Sequence, residues 1–415
     1  MQYLPNIFIS VAIAFLISLT PINAIGAQDY DATLNAVFHP ETGDAKVSLE
    51  IRQKTGLLKQ LNFSAPSSLF TKFVASSGSV ERREQRLIWQ VPRKGGKLSW
   101  RAKLNVRKGS AYDTRITKDW AILRFEDLFP SLKSTARKGA RSNFTVNLSG
   151  PKDWSYETRY GRAVDRALAI ESSKLNFDRP TGWLIAGRLG VRRDSITGRS
   201  ITVAAPVGSR APRVPTLAFL RWTLPEFVKV FPTLPEDLLI VGGNEEMWRG
   251  GLSGPSSLFM HTSRPLISEN GTSTLLHELV HVATRVRGGP GDDWIVEGLA
   301  EYYSLELLRR SGGLSNDRFD AALKRIAAWV DSSKGTLAHP STGADTAAAV
   351  LLFHRIAQEL ASGTGGNMDD AIKHLLGGRL GTSKVTRFEL QASIKAVTGN
   401  PSTVLQHAIA ALQNQ

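Results

Sequence analysis

The sequence contains no cysteine among its 415 residues. Disulfide frameworks, cysteine zinc fingers, iron–sulfur clusters and thiol nucleophiles all need a thiolate, so the composition excludes each of them. A metal ion in this protein must therefore be held by histidine and carboxylate side chains. Hydrophobic residues make up 42% of the chain and charged residues 21%, which is the balance of a globular protein with a buried core.

Long apolar runs are also scarce, and the one at the amino terminus is short. Residues 7–19 are apolar apart from Ser10 and Ser18, and small residues follow up to Ala27. The run is shorter than the roughly 20 residues that a membrane-spanning helix needs, and it is typical of a secretory signal. We therefore predict a signal peptide over residues 1–27 and a periplasmic or secreted protein. Because no Lys or Arg precedes the run, a retained amino-terminal membrane anchor is the alternative.

Residues 28–205 have the period-two pattern of β-strands. Apolar and polar residues alternate between Lys97 and Val106, and Val47, Leu49 and Ile51 repeat the pattern. Clusters of Gly, Pro, Asn and Asp separate these segments, as turns require. The pattern predicts an antiparallel β-rich amino-terminal half.

A proline-rich stretch follows, and beyond it the apolar residues recur at helical spacing. Pro206, Pro212 and Pro215 mark the expected boundary between the two halves. We expect a helix from Leu224 to Val230 and further helices from Thr274 onward. The predicted fold class is therefore α+β.

The sharpest chemical signal is His277-Glu278-Leu279-Val280-His281, inside an apolar helical pattern. Residues i and i+4 of a helix lie on one face about 6 Å apart, so His277 and His281 can offer two imidazoles to one metal ion. Glu278 lies beside them and is expected to act as a base on a water molecule that the metal activates. The alternative is a chance helix with two histidines that have a purely structural role.

A second helix supplies a candidate third ligand. After a Gly/Pro turn over residues 288–291, the new helix begins at Asp292 or Asp293 with the sequence DDWIVEGLAEYY. Glu297 and Glu301 share one face of it. If the turn folds this helix against the first, Glu297 completes a His2Glu ligand set and Glu301 hydrogen-bonds a ligand imidazole. A solvated acidic face is the alternative.

These two motifs resemble the zinc helices of the gluzincin metallopeptidases. HELVH followed by VEGLAEY is similar to the motifs of the membrane-alanyl and glycyl aminopeptidases. The order of a β region, a catalytic domain and carboxy-terminal helices resembles the glycyl-aminopeptidase branch, and the sequence FDRPTGW at residues 177–183 adds a weaker similarity to it. Close motif resemblance covers roughly residues 250–310.

The resemblance implies an α+β multidomain fold. Its parts are the antiparallel β-rich region over residues 28–205, a thermolysin-like zincin domain over 206–330, and carboxy-terminal helices over 331–415. It also implies Zn²⁺ as the cofactor and a role for each candidate residue. The ligands are His277, His281 and Glu297, the general base and acid is Glu278, and the hydrogen-bond partner of a ligand is Glu301.

The predicted function is zinc-dependent hydrolysis of peptide bonds in extracytoplasmic peptides or proteins. Two alternatives remain open. One is a peptide- or envelope-binding protein of the same fold with little or no activity. The other is a zinc hydrolase of a non-peptide bond, because activation of water by zinc is not specific to peptides.

Two departures from the family concern the substrate's amino terminus and the carboxyl end of the chain. Where those aminopeptidases carry a glutamate that binds the free amine of the substrate, this chain has Ser253. Glu245 and Glu246 lie nearby but in the wrong register. The chain also ends about a hundred residues after the predicted ligands, so we expect it to lack the carboxy-terminal PDZ domain of the glycyl branch.

A third departure concerns the oxyanion that forms when water attacks a carbonyl. The family stabilises it with a tyrosine before the next helix, where alignment gives Asp345, and no tyrosine follows Tyr303 in this chain. Loss of such a donor costs about 100- to 1,000-fold in rate. Another group, such as His339 or His354, must donate, or turnover is slow.

The chain has a net charge of +15 with no assigned partner. Such an excess favours acidic peptides, anionic envelope surfaces or nucleic acid. No nucleic-acid-binding motif accompanies it. We therefore expect a peptide or protein substrate, no nucleic acid, and at most weak association with anionic envelope surfaces, while a basic surface without a partner is the alternative.

Overall fold

The computed structural model describes residues 28–163, 167–170, 176–244, 246–337, 340–363, 365–377 and 383–413. The predicted signal peptide, Glu245 and His339 lie outside the described residues. None of the described helices combines the length and the apolar character needed to cross a membrane.

The amino-terminal half consists almost entirely of strands. In chain order its elements are β1 (Gln28–His39), β2 (Asp44–Arg52), β3 (Leu58–Ser64), β4 (Phe70–Ala75), β5 (Val80–Arg83), β6 (Arg86–Gln90), β7 (Gly95–Lys103), β8 (Val106–Lys108), β9 (Ala111–Ile116), β10 (Trp120–Arg124), α1 (Phe125–Leu128), β11 (Leu132–Ala136), β12 (Ala140–Ser149), β13 (Ser155–Thr158), β14 (Gly161–Ala163), β15 (Leu168–Ile170) and β16 (Trp183–Gly187).

These strands form three sheets within the described residues. Their strand orders are β15-β12-β1-β2-β7-β4, β14-β13-β16-β10-β9-β8 and β11-β3-β6-β5. The pairing is antiparallel except between β1 and β12, which run parallel with Leu34 opposite Val146. In β2 the residues Val47, Leu49 and Ile51 are fully or almost fully buried, and they face a core that also contains Trp100. The period-two pattern of the sequence therefore corresponds to strands with one buried face, as predicted.

The second half combines one sheet with helices. Its elements are β17 (Leu189–Ile196), β18 (Arg199–Pro206), α2 (Arg213–Val230), β19 (Asp237–Gly243), β20 (Gly251–Gly254), β21 (Ser257–His261), α3 (Thr274–Thr284), β22 (Arg287–Gly288), α4 (Asp293–Arg310), α5 (Asn316–Ser333), α6 (Ala344–Ser362), α7 (Met368–Leu376), β23 (Lys384–Val385), α8 (Arg387–Thr398) and α9 (Thr403–Gln413).

A mixed five-stranded sheet supports the second half. Its strand order is β17-β18-β19-β21-β20, with β18, β19 and β21 parallel and the two outer strands antiparallel to their neighbours. Helices α2, α3, α4, α6 and α7 share one continuous apolar core with this sheet. Strand β20 is the short strand at its edge. A short parallel pair, β22 with β23, ties the α3–α4 connection to the segment before α8.

A third, smaller core joins the two halves. It contains Trp120, Ile122 and Trp183 from the amino-terminal sheets, and Val241 and Phe259 from the five-stranded sheet. The rings of Trp183 and Phe259 lie 5.3 Å apart. The two halves are therefore held together by buried aromatic and aliphatic contacts, immediately behind the edge strand.

The α+β fold class, with strands first and helices at the carboxyl end, is confirmed. The helix expected from Leu224 begins eleven residues earlier, at Arg213, because Pro215 lies in its first turn, where proline is tolerated. The domain boundaries stay predictions. The five-stranded sheet takes β17 and β18 from before the boundary expected near residue 206, and β18 pairs directly with β19.

Candidate metal centre

Helix α3 carries the first two candidate ligands. It begins after Ser273, whose hydroxyl accepts a hydrogen bond from the amide of Leu276 and so caps the helix. It ends at Arg285, which adopts the left-handed conformation with a φ of 52°. The apolar residues of α3 are buried, which turns His277 and His281 toward the neighbouring helix.

Helix α4 packs against α3 and carries the third candidate ligand. Trp294 and Tyr303 are fully buried in the shared core, and the hydroxyl of Tyr303 donates to Asp369. Gly298 permits the close approach of α6, because a Cβ atom there would lie 2.4 Å from the Cβ of Ala349. This packing fixes the face of α4 that points at α3.

The structure brings the three predicted ligands together. Nε2 of His277 lies 3.1 Å from Nε2 of His281 and 3.4 Å from a carboxylate oxygen of Glu297. Nε2 of His281 lies 3.6 Å from the other oxygen of Glu297. Among the residues described, this is the group of His and carboxylate side chains whose donor atoms converge within 4.8 Å.

These spacings fit a zinc ion. Bonds of about 2.0–2.1 Å in tetrahedral geometry place neighbouring ligand atoms about 3.3 Å apart. The shortest separations between the three side chains, 3.1, 3.4 and 3.6 Å, bracket that value, and the last two are made to the two different oxygens of Glu297. Two imidazole nitrogens and one carboxylate oxygen are also the donor set that zinc takes in hydrolytic sites. The residues present therefore fit a zinc ion with one coordination position left for a water molecule or a substrate.

Glu301 contacts the first histidine. Its carboxylate lies 2.9 Å from Nδ1 of His277. When Nδ1 donates its proton to Glu301, the lone pair of Nε2 points toward Glu297 and His281. Burial alone would lower the pKa of His277, but the hydrogen bonds with Glu297 and Glu301 outweigh it and raise the pKa to about 10, so a metal ion that binds here must displace the proton of Nε2.

The same contacts act on Glu297 in the opposite direction. Burial alone would raise the pKa of its carboxyl, but hydrogen bonds from His277 and His281 hold the pKa well below its usual range. Glu297 is therefore ionised at neutral pH and can act as a metal ligand without losing a proton first.

Glu278 is buried beside the ligands and held under the edge strand. Its residue exposure is only 7%, and burial raises the pKa of its carboxyl, although the charges of His281 and His277 partly oppose this. The side chain of Ser253 is close enough to the same carboxylate to lower its pKa as well. A Cβ atom at Gly251 would lie 2.4 Å from Cγ of Glu278, so only glycine fits there. The edge strand therefore determines where this carboxylate lies.

The edge strand has backbone groups that face away from the sheet. The amide of His261 donates to the carbonyl of Gly250, which makes these two residues a hydrogen-bonded antiparallel pair. Hydrogen-bonded pairs alternate along such a ladder, so Gly251 and Ser253 direct their N–H and C=O groups to the open side. Within the described part of the chain no strand pairs with that side of β20.

The amino-terminal half supports the edge strand through Trp183. Its indole Nε1 donates to the carbonyl of Leu252 at 2.9 Å, and its amide donates to the hydroxyl of Ser257. Gly182 has a φ of +91°, and a Cβ atom there would lie 2.6 Å from the carbonyl of Pro255. The sequence FDRPTGW by itself indicates only a similarity to a family. The contact of its Trp183 with β20 could not be predicted, because this contact joins residues about 70 positions apart.

Other residues considered from the sequence have different surroundings. Glu246 pairs with Arg115 at 2.7 Å. Asp345 lies in the first turn of α6 and accepts a hydrogen bond from the amide of Thr336. His354 lines a cavity with Glu306, which lies nine residues or about 14 Å along α4 from the third candidate ligand. The structure therefore does not bring His354 to the metal donors.

No protein-family model matches the sequence, and no curated protein matches it. Among solved structures, the chain is similar to a crystal structure of an aminopeptidase N family protein from Idiomarina loihiensis. The two are 14% identical, and the TM-score is 0.64 over 83% of this chain and 70% of that chain. At this identity the likeness shows a shared fold. The glycyl-aminopeptidase branch stays a prediction.

Proposed function

We propose that this chain is a zinc-dependent metallopeptidase of the gluzincin type that cleaves extracytoplasmic peptides or proteins. The observation that carries the proposal is the convergence of the donor atoms of His277, His281 and Glu297 within 4.8 Å of one another. Next to them lie a buried carboxylate and an unpaired strand edge. Each is needed for a different part of the reaction.

Zinc bound by these three residues supplies Lewis-acid activation of a water molecule or of the scissile carbonyl. Glu278 accepts the proton of the attacking water on its carboxylate and then passes it to the leaving amine. Because burial raises the pKa of Glu278, its carboxylate is a stronger base than an exposed glutamate. Ser253 and Gly251 hold that carboxylate in place during both transfers.

The unpaired edge of β20 favours a peptide as the substrate. The outward N–H and C=O groups of Gly251 and Ser253 can pair with the backbone of an extended chain, as an added strand does. An isolated ester has no repeating amide groups to use them. No carboxylate of β20 itself is available for a free amine, since the strand consists of Gly251, Leu252, Ser253 and Gly254. This favours binding of internal peptide segments.

The proposal is tested by zinc content and by cleavage. Purified protein should contain one zinc per chain by mass spectrometry and should cleave members of a peptide library. Glu278→Gln should keep the zinc and lose about 100- to 10,000-fold in rate, the range for loss of a general base. Glu269→Gln, an exposed glutamate on the segment before α3, is the matched control and should cleave like wild type. Protein without zinc, or equal rates in wild type and Glu278→Gln, would contradict the proposal.

Peptide binding without turnover is the second candidate function. It is favoured by the surroundings of Asp345 and His354, neither of which is available as an oxyanion donor at the metal donors. Tight binding of library peptides by the zinc-loaded protein, with no cleavage at any pH, would support this candidate. Cleavage of esters but not of amides would instead indicate a hydrolase of a non-peptide bond.

The extracytoplasmic location is part of the proposal and rests on the predicted signal over residues 1–27. Expression of the full-length gene with cell fractionation, followed by amino-terminal sequencing, tests it. A mature chain that begins near residue 28 supports cleavage of the signal, whereas an intact amino terminus in the membrane fraction supports the anchor.

A further inference from the structure

A polar cavity of about 660 Å³ lies where the amino-terminal half meets the segment that leads into the edge strand. We call it the arginine cavity. Its lining includes Arg107, Ser110, Tyr112, Arg115, Trp248 and Arg249, together with Glu246. None of these residues belongs to the candidate metal centre.

Three guanidinium groups share this cavity with a single described carboxylate. The guanidinium carbons of Arg107 and Arg115 lie 4.3 and 4.2 Å from the centre of the Tyr112 ring, so one aromatic ring holds two positive charges close together. Arg115 is also paired with Glu246 at 2.7 Å. The side chain of Arg249 has no hydrogen bond or ion pair among the described residues. Among the described residues that line the cavity, positive charge is therefore in excess.

The remaining donors suit a carboxylate. Arg107 donates one bond to the carbonyl of Ser110 and one to the hydroxyl of Tyr112, which fixes the orientation of its guanidinium plane. A planar guanidinium presents paired N–H groups that match the two oxygens of a carboxylate. Trp248 is 44% exposed and adds an apolar wall. Such a site can bind an anionic group that is carried on a chain with some apolar character.

The arginine cavity lies in line with the edge strand. The amide of Trp248 donates to the carbonyl of Tyr112, and the amide of Tyr112 donates to the carbonyl of Glu246, so the β8–β9 hairpin is joined to this segment by backbone bonds. Gly251, which contacts Glu278, follows Trp248 by three residues. Three residues span at most about 11 Å. A peptide of ordinary length that pairs with β20 can therefore reach the cavity.

We propose that the arginine cavity binds a carboxylate of the substrate on the carboxy-terminal side of the scissile bond. A peptide that pairs antiparallel with β20 runs from Gly254 toward Gly251, so its carboxy-terminal residues approach Trp248. Electrostatics favours the same direction, because the positive cavity attracts a terminal carboxylate and repels a terminal ammonium group. An acidic side chain two to four residues beyond the cleaved bond presents the same chemical group. This inference rests on the proposed peptidase function.

The experiment measures binding separately from cleavage. Zinc-loaded protein with Glu278→Gln is titrated with four fluorescent peptides of one sequence. They combine a free or an amidated carboxyl terminus with Asp or Asn at the third residue after the cleaved bond. Hydrogen bonds to charged groups are strong enough that loss of the relevant carboxylate should weaken binding at least about tenfold. A difference between acid and amide identifies the terminal carboxylate as the bound group, and a difference between Asp and Asn identifies the side chain.

Substitutions locate the effect. In the double variant Arg107→Gln/Arg249→Gln the tenfold preference should disappear. Arg192→Gln is the matched control, in which the preference should persist. Arg192 is an exposed arginine on β17, the edge strand opposite β20 in the five-stranded sheet. Equal affinity for all four peptides, no binding of any of them, or a preference that persists in the double variant would overturn the proposal.

The same peptides separate this inference from the proposed function. With the wild-type protein, cleavage that shows no carboxylate preference overturns the role of the arginine cavity and leaves the peptidase function intact. A carboxylate preference in binding without cleavage supports the cavity and contradicts the peptidase function.

Discussion

Substitution of Gly251 by alanine should disable the candidate base while leaving the metal ligands intact. The added Cβ atom would lie 2.4 Å from Cγ and 2.8 Å from Oε1 of Glu278, whereas ordinary contacts begin at 3.4 Å. The carboxylate must therefore move by about 1 Å, because the strand is held by β21 on its inner side. Misplacement of this size can cost about 100-fold in rate. We expect kcat to fall by about that factor.

The assay combines steady-state kinetics on a cleaved peptide with zinc analysis of the same preparation. Zinc content should stay at the wild-type level, because the ligands lie on α3 and α4 and the atoms nearest to the added methyl group all belong to Glu278. Gly254→Ala is the matched control on the same strand. Its Cβ atom would meet Trp183 at 3.2 Å and Ser257 at 3.3 Å, so small adjustments suffice and we expect a loss below about threefold.

A double-mutant cycle separates the clash with Glu278 from a general distortion of the strand. In the wild-type background Gly251→Ala should lower stability by about 1 to 3 kcal/mol, the usual cost of overpacking. In a Glu278→Ala background the clashing atoms are gone, so the same change should cost almost nothing. Wild-type kcat in Gly251→Ala, or an equal loss of stability in both backgrounds, would refute the inference that this strand positions Glu278.

Three further predictions concern the surroundings of the site. Glu301→Gln should weaken zinc binding about 10- to 100-fold in competition with a chelator, because His277 loses its charged partner; unchanged affinity would contradict the orienting role. Trp183→Phe removes the donor to Leu252 and should raise KM about 3- to 10-fold with zinc unchanged; an unchanged KM would show that the edge strand does not need this bond. Burial alone would raise the pKa of Glu306, but hydrogen bonds from Arg309 and Arg310 outweigh it and lower the pKa. The ionised carboxylate of Glu306 therefore stabilises the fold above about pH 4.5, and this stabilisation is lost as the pH falls through the lowered pKa. Denaturation should therefore show Glu306→Gln less stable than wild type at pH 7, with a difference that shrinks as the pH falls below about 4.5, and a constant difference would contradict this.

The local features of the site could be predicted from the sequence, because they depend on residues close together in the chain. The helical spacing of His277 and His281 puts both rings on one face, and the spacing of Glu297 and Glu301 does the same on the next helix. The packing of α4 against α3 could also be predicted, because only a short Gly/Pro turn connects the two helices. The α+β order of the halves followed from the change of period. Helix α5 could not be predicted individually from its apolar pattern, because only a short stretch of its residues, including Phe319, is buried.

Features that depend on the pairing of distant segments could not be predicted. The alternation that turns Gly251 outward depends on the register of β20 with β21, and a shift of one residue would reverse it. The sequence pattern predicts only that Trp183 is a buried residue of a strand. Its role appears only because the small core between the halves brings its indole to the carbonyl of Leu252.

The amino-terminal half therefore contributes to the site although none of its residues is a metal donor. The candidate donors and the candidate base come from α3 and α4, but the strand that contacts Glu278 is held from outside. Trp183 bonds Leu252 within that strand, and the backbone of Tyr112 bonds the segment that leads into it. Without these bonds β20 would be held only by its pairing with β21. Four-residue edge strands that are paired on one side only are among the least stable elements of a sheet. Helices α3 and α4 alone would then keep the candidate ligands together but would have neither a fixed candidate base nor an ordered edge for the proposed substrate.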